Sequence, residues 1–523
     1  MHKRGPVLSL LLFSIALWKP LSSQQKNPVS LSTQAEAGPT AYTLQLNVQA
    51  VVLDIVVTDS KGEVVPNLRK EDFQVFEDKV PQVVQSLDPP PPALPVSANP
   101  SIDSTTALDR IEPKAPVTLI VLDEINTRFE DEAFARYSLR KFLDSQGDKL
   151  QQPTLLGAVD MQHFTLLHDY TTSKQELQDA LEHHLVAYPY HMEGASWKAE
   201  QFNASFAALI EIAEATAGHP GHKSLLWVGR GFPPFDPATL TPQANKGLKQ
   251  VIETCTNTLR DARVALYTLD PAGVSMEPPD VTSDGFIDDP FAGMLDFNIM
   301  AKATGGHAYF GRNDVDKLIA RTSRDGANFY TLSYTPAISR ADAQTYHSVR
   351  VVMRNPDLHA ETREGYYSHG TSAPVTPILS AKQPDRQVFD LAVAAQSVLV
   401  YDGVHMTVTH DAGNPDQFKI KLNSADLVWQ PGAPHKLITK ITVVVTSFDK
   451  KGTPIDRNFK ISTLQVGEGA PSTPDSSMVD LFATIPVKSS VERVRFVVRS
   501  DANQKLGAVN FVLGKSPAGD VSN

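Results

Sequence analysis

Three hydrophobic rhythms alternate along the chain, and their order predicts its architecture. Residues 43–87 read as β. Leu44, Leu46 and Val48 alternate with polar residues, 51–58 continues as a strand, and Phe73, Val75 and Val83-Val84 mark further strands. From 115 to 335 the period switches back and forth. Strands are predicted at 117–122, 155–159, 164–167, 224–228, 264–269 and 307–310. Between them Ala135, Leu139 and Phe142 recur at helical spacing, as do Phe202, Phe206, Leu209 and Ala213 before a stop at Gly218-His219-Pro220. Strands alternating with crossover-length helices imply a doubly wound α/β fold, a mostly parallel sheet covered on both faces. The β pattern returns at 329–334, 347–353 and 360–367. It returns again beyond 385, where Phe418, Ile420 and Leu422 alternate and 441–445, 479–486, 494–498 and 509–513 add strands.

These segments divide the chain into a leader (1–23), a polar tail without expected order (24–42), a β module (43–87) and a Pro-rich linker (88–114). The α/β domain follows (115–335), then β strands (336–367), a second linker (368–385) and a separate C-terminal β-sandwich (386–515). The β pieces before and after the α/β domain each offer about three strands, too few for an independent domain. They are therefore expected to form one sandwich, from 43–87 and 328–367, into which the α/β domain is inserted.

The strand at 117–122 is the most informative. Val117-Thr118-Leu119-Ile120-Val121-Leu122 has no polar alternation, as in a central strand buried on both faces, and it ends in Asp123-Glu124-Ile125-Asn126-Thr127. Open α/β sheets place their ligands at the carboxyl ends of such strands, so Asp123, Asn126 and Thr127 are the first candidate binding residues.

Composition narrows the setting. The 523 residues carry a net charge of −11 and no Lys/Arg-rich patch, which argues against a nucleic-acid partner. His2-Lys3-Arg4, an apolar run from Val7 to Trp18 and small residues before Gln24 read as a signal peptide, with an uncleaved anchor as the alternative. An exported chain follows, periplasmic or extracellular, with no membrane span after signal cleavage. Its single cysteine, Cys255, cannot form an internal disulfide and reads as a small core residue.

Four stretches carry a resemblance. Leu122-Asp123-Glu124-Ile125-Asn126-Thr127 runs into Phe129-Glu130-Asp131. Ala301-Lys302-Ala303-Thr304-Gly305-Gly306-His307-Ala308-Tyr309-Phe310 forms a helix-to-strand joint, and Phe329-Tyr330-Thr331-Leu332-Ser333-Tyr334-Thr335-Pro336 leaves the domain. Leu68-Arg69-Lys70-Glu71-Asp72-Phe73-Gln74-Val75-Phe76-Glu77-Asp78 precedes it. Together they resemble a von Willebrand factor A-type domain with flanking β modules, and in particular the exported bacterial family called VWFA-related, over about 45–367.

The resemblance implies a non-enzymatic binding or adhesion-type protein that recognises a protein or cell-surface ligand. It also implies a divalent cation, Mg²⁺ or Ca²⁺, at a metal-ion-dependent adhesion site of the form Asp-x-Ser-x-Ser plus a distant Thr and Asp. Asp123 and Thr127 match its first and last positions. Ile125 replaces the middle hydroxyl, and Gly229-Arg230-Gly231 stands where a second Asp belongs. Three readings of this degenerate motif follow: a cation on Asp123 and Thr127, an Arg230–Asp123 ion pair in its place, or Asp123 and Thr127 as helix caps with Asn126 holding the turn.

Other polar features read as structural. Asp280, Asp284, Asp288 and Asp289 lack EF-hand spacing and suggest a solvated loop near the ligand face. His183-His184 reads as surface. Loops 186–197 and 271–290 are expected to rim the ligand face. No nucleophile elbow, P-loop or Cys-rich zinc pattern appears, so no catalytic residue is assigned. The rival functions are a structural envelope or assembly subunit without metal, and a metal-dependent envelope hydrolase.

Overall fold

The computed structural model describes residues 50–90, 102–161, 164–186, 195–234, 236–273, 291, 295–336, 345–368, 391, 394–410, 413–432, 436–450, 452–466, 478–513 and 521–522. The leader, the polar tail, the second linker, the acidic loop at 280–289 and most of both rim loops lie outside the described residues.

Four strands come first: β1 (Val51–Thr58), β2 (Phe73–Glu77), β3 (Val80–Gln82) and β4 (Val84–Asp88). A helix, α1 (Thr105–Ile111), then occupies part of the stretch read as the linker 88–114, which corrects that reading. Ser104 caps it by accepting from the Ala107 N–H, and Ile102 and Leu108 are buried in the core of the next domain. A two-turn helix is too short for its period to show in the sequence.

The central sheet comprises β5 (Val117–Asp123), β6 (Lys149–Val159), β7 (Phe164–Ser173), β8 (Lys223–Val228), β9 (Val264–Leu269) and β10 (Ala308–Tyr309). Its order is β10-β9-β8-β5-β6-β7. Every pair is parallel except β6 with β7. Counting within this sheet alone, the order is 3-2-1-4-5-6, and it reverses beside β5. The carboxyl ends of β5 and β8 therefore flank a topological switch point.

The helices are α2 (Phe129–Ser145), α3 (Lys174–His183), α4 (Ala195–Ala215), α5 (Pro242–Asp261), α6 (Phe297–Thr304) and α7 (Val315–Ala327). Ile120 and Leu122 of β5 pack with Leu139, Leu177 and Ile319 from α2, α3 and α7. Leu119 and Val121 share the opposite cluster with Leu209, Ile252 and Met300 from α4, α5 and α6. Both faces are thus covered, which is why β5 lacks polar alternation. Cys255 is fully buried in the second cluster, and burial pushes its thiol pKa up.

The chain then returns to its first strands. β11 (Phe329–Tyr334) lies antiparallel between β1 and β4. β12 (Tyr346–Met353) pairs with β2 and with β14 (Gly365–Tyr367), and β13 (His359–Glu361) borders β1. The resulting sheets, β13-β1-β11-β4 and β14-β12-β2-β3, share a core of Leu53, Ile55, Val75, Tyr330, Leu332 and Val349. Because β11 hydrogen-bonds to β1 and β4, the central unit ends with α7 at Ala327 and not at 335.

Where the two units meet, the Asp54 carboxylate of β1 is largely shielded, its side chain 9% exposed. It accepts from Arg263 (Nη2 2.5 Å, Nε 3.2 Å) and Thr331 (3.0 Å), and pairs with His222 Nδ1 at 3.0 Å.

Further strands are β15 (Tyr401–Asp402), β16 (Met406–His410), β17 (Gln417–Asn423), β18 (Gln430–Pro431), β19 (Leu437–Phe448), β20 (Pro454–Val466), β21 (Met478–Thr484), β22 (Arg493–Ser500), β23 (Leu506–Val512) and β24 (Val521–Ser522). They build one sheet ordered β15-β23-β22-β19-β18, with β20 also on β19, and another ordered β21-β17-β16-β24. This region is not separate from the central unit, contrary to the sequence reading. Tyr401, Leu506 and Ala508 join the α4 side of the central core, and the Gly218 N–H donates to Asp402 at 2.8 Å. Among the described residues no helix is long and apolar enough to cross a membrane.

Candidate functional site at the sheet switch point

β5 delivers Asp123 to the switch point with no solvent exposure. Its Oδ1 accepts from the Ile125 N–H (3.1 Å), the Asn126 N–H (3.0 Å) and Asn126 Nδ2 (3.2 Å). Its Oδ2 accepts from Asn126 Nδ2 (3.1 Å) and the Gly231 N–H (2.8 Å). The carboxylate thus closes the turn leading to α2 and ties β5 to the loop after β8. Burial raises its pKa; hydrogen bonds from Asn126 and Gly231 pull the other way.

The two glycines of Gly229-Arg230-Gly231 follow from this closeness. A Cβ on Gly229 would stand 2.3 Å from Asp123 Cβ and 2.5 Å from Thr127 Oγ1. Gly231 has φ +65°, and a Cβ there would strike the Phe297 ring at 2.2 Å.

The predicted residues converge, but in different roles. Thr127 is buried and its Oγ1 accepts from the Arg230 N–H at 3.4 Å. The Arg230 guanidinium turns away to Asp270 at the end of β9 (Nε–Oδ2 3.5 Å), so the Arg230–Asp123 ion pair is not formed. Asn126 binds both Asp123 oxygens and Ser205 Oγ of α4 (3.2 Å). Ile125 is buried in the core beside α4.

A cation bound by Asp123 and Thr127 does not fit this arrangement. A hard ion needs several free oxygens. Both Asp123 oxygens already accept two or more N–H donors, Ile125 offers no oxygen, and Asn126 Oδ1, buried without a hydrogen-bond partner, is a single uncommitted acceptor. The turn-holding role of Asp123 and Asn126 is the one the hydrogen bonds describe.

A second acidic group, which the sequence reading missed, lies next door. Glu124 and Glu132 are both buried, and His184 Nε2 meets Glu124 Oε1 at 2.5 Å. His184 is thus not a surface residue; the α3 end carries it under the β5 turn. The local signal was only Glu132 three residues into α2, a position common for exposed carboxylates. Arg136 donates to the Leu181 and His184 carbonyls, while Glu132 Oε1 has no hydrogen-bond partner. Burial and then the Glu124 charge push Glu132 up to about 7, against the pull of Arg136 and His184.

An acid raised from 4.5 to about 7 adds its stability below the unfolded value and loses it as pH rises through the folded one. Urea unfolding at pH 5 and pH 8 should therefore show a loss on the order of 2 kcal/mol, after allowance for solvent screening, that Glu132→Gln removes. Equal pH slopes for both proteins would contradict it.

The order of the central sheet and an acid at the end of its first strand give a ligand-site geometry general to doubly wound α/β sheets. No protein-family model and no curated protein matches the chain. Similar solved structures include the manganese-loaded TRAP protein of Plasmodium vivax, 8% identical, with a TM-score of 0.24 over 49% of this chain and 95% of that one. The SpRpn10 VWA domain is 14% identical, with a TM-score of 0.17 over 30% of this chain and 89% of that one.

Proposed function

We propose that the chain is an exported, non-enzymatic binding protein that recognises a protein or cell-surface ligand at the carboxyl end of its central sheet, with no ion at Asp123. The observation that supports this most is Phe129. It opens α2 two residues beyond Thr127, is 58% exposed, and is flanked by exposed Arg128 and Glu130 and half-buried Asp131. An aromatic side chain within a charged rim is the composition of a protein contact centred on one anchor. The half-buried Arg230–Asp270 pair adds a polar contact beside it. The signal-like leader supports export.

A photo-crosslinking amino acid at position 129, expressed in the source cells, tests the reading. Discrete adducts are expected at 129 and not at exposed Lys249 of α5, and Arg230→Glu should diminish them. Equal adducts at both positions would refute the face. Export predicts a mature chain beginning near Gln24, which terminal sequencing of the fractionated protein reads directly. A structural envelope subunit is the second reading. It draws on the shared core of α4 with Tyr401, Leu506 and Ala508, which fixes the central unit against the C-terminal sheets.

A further inference from the structure

A group of metal-ligating side chains lies away from the switch point, in the paired sheets formed by β1–β4 and β11–β14. β2 buries Phe73, Val75 and Glu77 at alternate positions, so Glu77 is a carboxylate where the alternation calls for an apolar side chain. It is 6% exposed, and its Oε2 accepts from the hydroxyls of Tyr334 (2.6 Å) and Tyr366 (3.0 Å). Asp78 and Lys79 form the two-residue turn into β3 with φ +49° and +70°, a left-handed pair that Asn-Gly would adopt at less cost. Asp78 Oδ1 is fixed by the Ser348 N–H (2.9 Å) and hydroxyl (3.3 Å).

Each carboxylate therefore has one oxygen held by neutral protein donors. The other oxygens face His347 of β12: Asp78 Oδ2 lies 2.6 Å and Glu77 Oε1 4.0 Å from its Nδ1. One donor atom from each of the three residues lies within 4.8 Å of the others. An Asp78–His347 ion pair alone would need no buried Glu77 beside it. Outer hydrogen bonds that orient the ligating oxygens are a regular part of protein metal sites.

We propose that Glu77, Asp78 and His347 bind one divalent transition-metal ion, with zinc preferred. One imidazole nitrogen and two carboxylate oxygens suit Zn²⁺ or Mn²⁺, whereas Ca²⁺ and Mg²⁺ favour all-oxygen shells. The ion replaces the direct Asp78–His347 hydrogen bond, with the Asp78 side chain at the exposed turn moving outward to open the 2.6 Å gap to a metal-bridged separation. Asp78, 44% exposed in its side chain, leaves the fourth position facing solvent, where water or a partner's donor completes the shell.

The test is calorimetric titration of the full chain, stripped of metal by chelation, with Zn²⁺ and separately with Mn²⁺. One Zn²⁺ per chain is expected. His347→Ala and Asp78→Asn should each weaken it more than 10-fold, and Tyr334→Phe about 10-fold through loss of the bond that orients Glu77. Arg230→Ala, at the switch point, should leave it unchanged. Circular dichroism of each metal-free variant confirms that it is folded before titration; Asp78 lies at the exposed turn, and His347 is half-buried on β12. No saturable binding of either ion would overturn the site. So would binding retained in folded His347→Ala or Asp78→Asn.

Discussion

Asp123→Ala is expected to lower the unfolding free energy by about 4 kcal/mol, and added Mg²⁺ or Ca²⁺ to leave the thermal midpoint of the unmutated chain where it was. The substitution strips the acceptor from the Ile125, Asn126 and Gly231 N–H groups and from the Asn126 amide at once. Each buried donor left unpaired costs roughly 1–3 kcal/mol, and partial relaxation of the turn keeps the sum below the arithmetic total. Removing a buried carboxylate also relieves its desolvation, which works in the opposite direction. Four donors outweigh that relief. Asp123→Asn should cost less, since its amide oxygen still serves one side of the turn while its NH₂ confronts a donor on the other. Denaturant unfolding of the three proteins measures all of this. A midpoint that rises with Mg²⁺ or Ca²⁺ and loses that rise in Asp123→Asn would restore the cation reading.

Asp54→Ala should cost about 3 kcal/mol and alter the acid limb of the stability profile. Removing one member of a buried ion pair leaves the other charged without a partner, typically a loss of 3–5 kcal/mol. The lower end applies because Arg263 keeps a partly exposed side chain and can regain water. Burial works to raise the Asp54 pKa, but the His222 hydrogen bond and charge, followed by the Arg263 charge, outweigh it and hold the carboxyl well below the usual range. A depressed acid contributes stability above its unfolded value, near 3.8, and loses it as pH falls toward the folded one. The unmutated chain should thus lose stability steeply below pH 4, and Asp54→Asn should flatten that fall. Parallel acid limbs in the two proteins would show that the junction does not depend on this carboxylate.

The parts of the fold written in long single-period runs were legible. β9 was predicted at 264–269 and forms at Val264–Leu269, and β5 extends its prediction by one residue, Asp123. β7 was predicted to stop at 167 and continues to Ser173 through His168 and Asp169. As the edge strand of the central sheet it keeps a polar flank, so its residues lack the apolar run that marks β5. Asp123 was legible as the focus of the switch point because a lone acid ends a fully apolar strand. The direction of Arg230 was not, since Asp270 comes 40 residues later and only the β8–β9 pairing brings the two ends together. Glu77 was hidden for a related reason. Its partners Tyr334 and Tyr366 arrive from strands more than 250 residues away, and the alternation that turns position 77 inward does not say what would satisfy a carboxylate there.

That distance has a consequence for how the chain is made. The bond between Thr331 and Asp54 spans 277 residues, and closing an open loop of that length costs about 5 kcal/mol of chain entropy. A folded central unit brings its two ends together and removes most of that cost, so the paired sheets assemble after the central unit. During synthesis β1 and β4 wait without β11 while the residues between Asp88 and Phe329 are polymerised, roughly 10 to 50 s at ribosomal speeds. Through that interval β1, an apolar strand, presents open edges, the condition under which nascent β segments pair with the wrong chain. The interval between the fourth strand and the eleventh is where this protein most needs a chaperone.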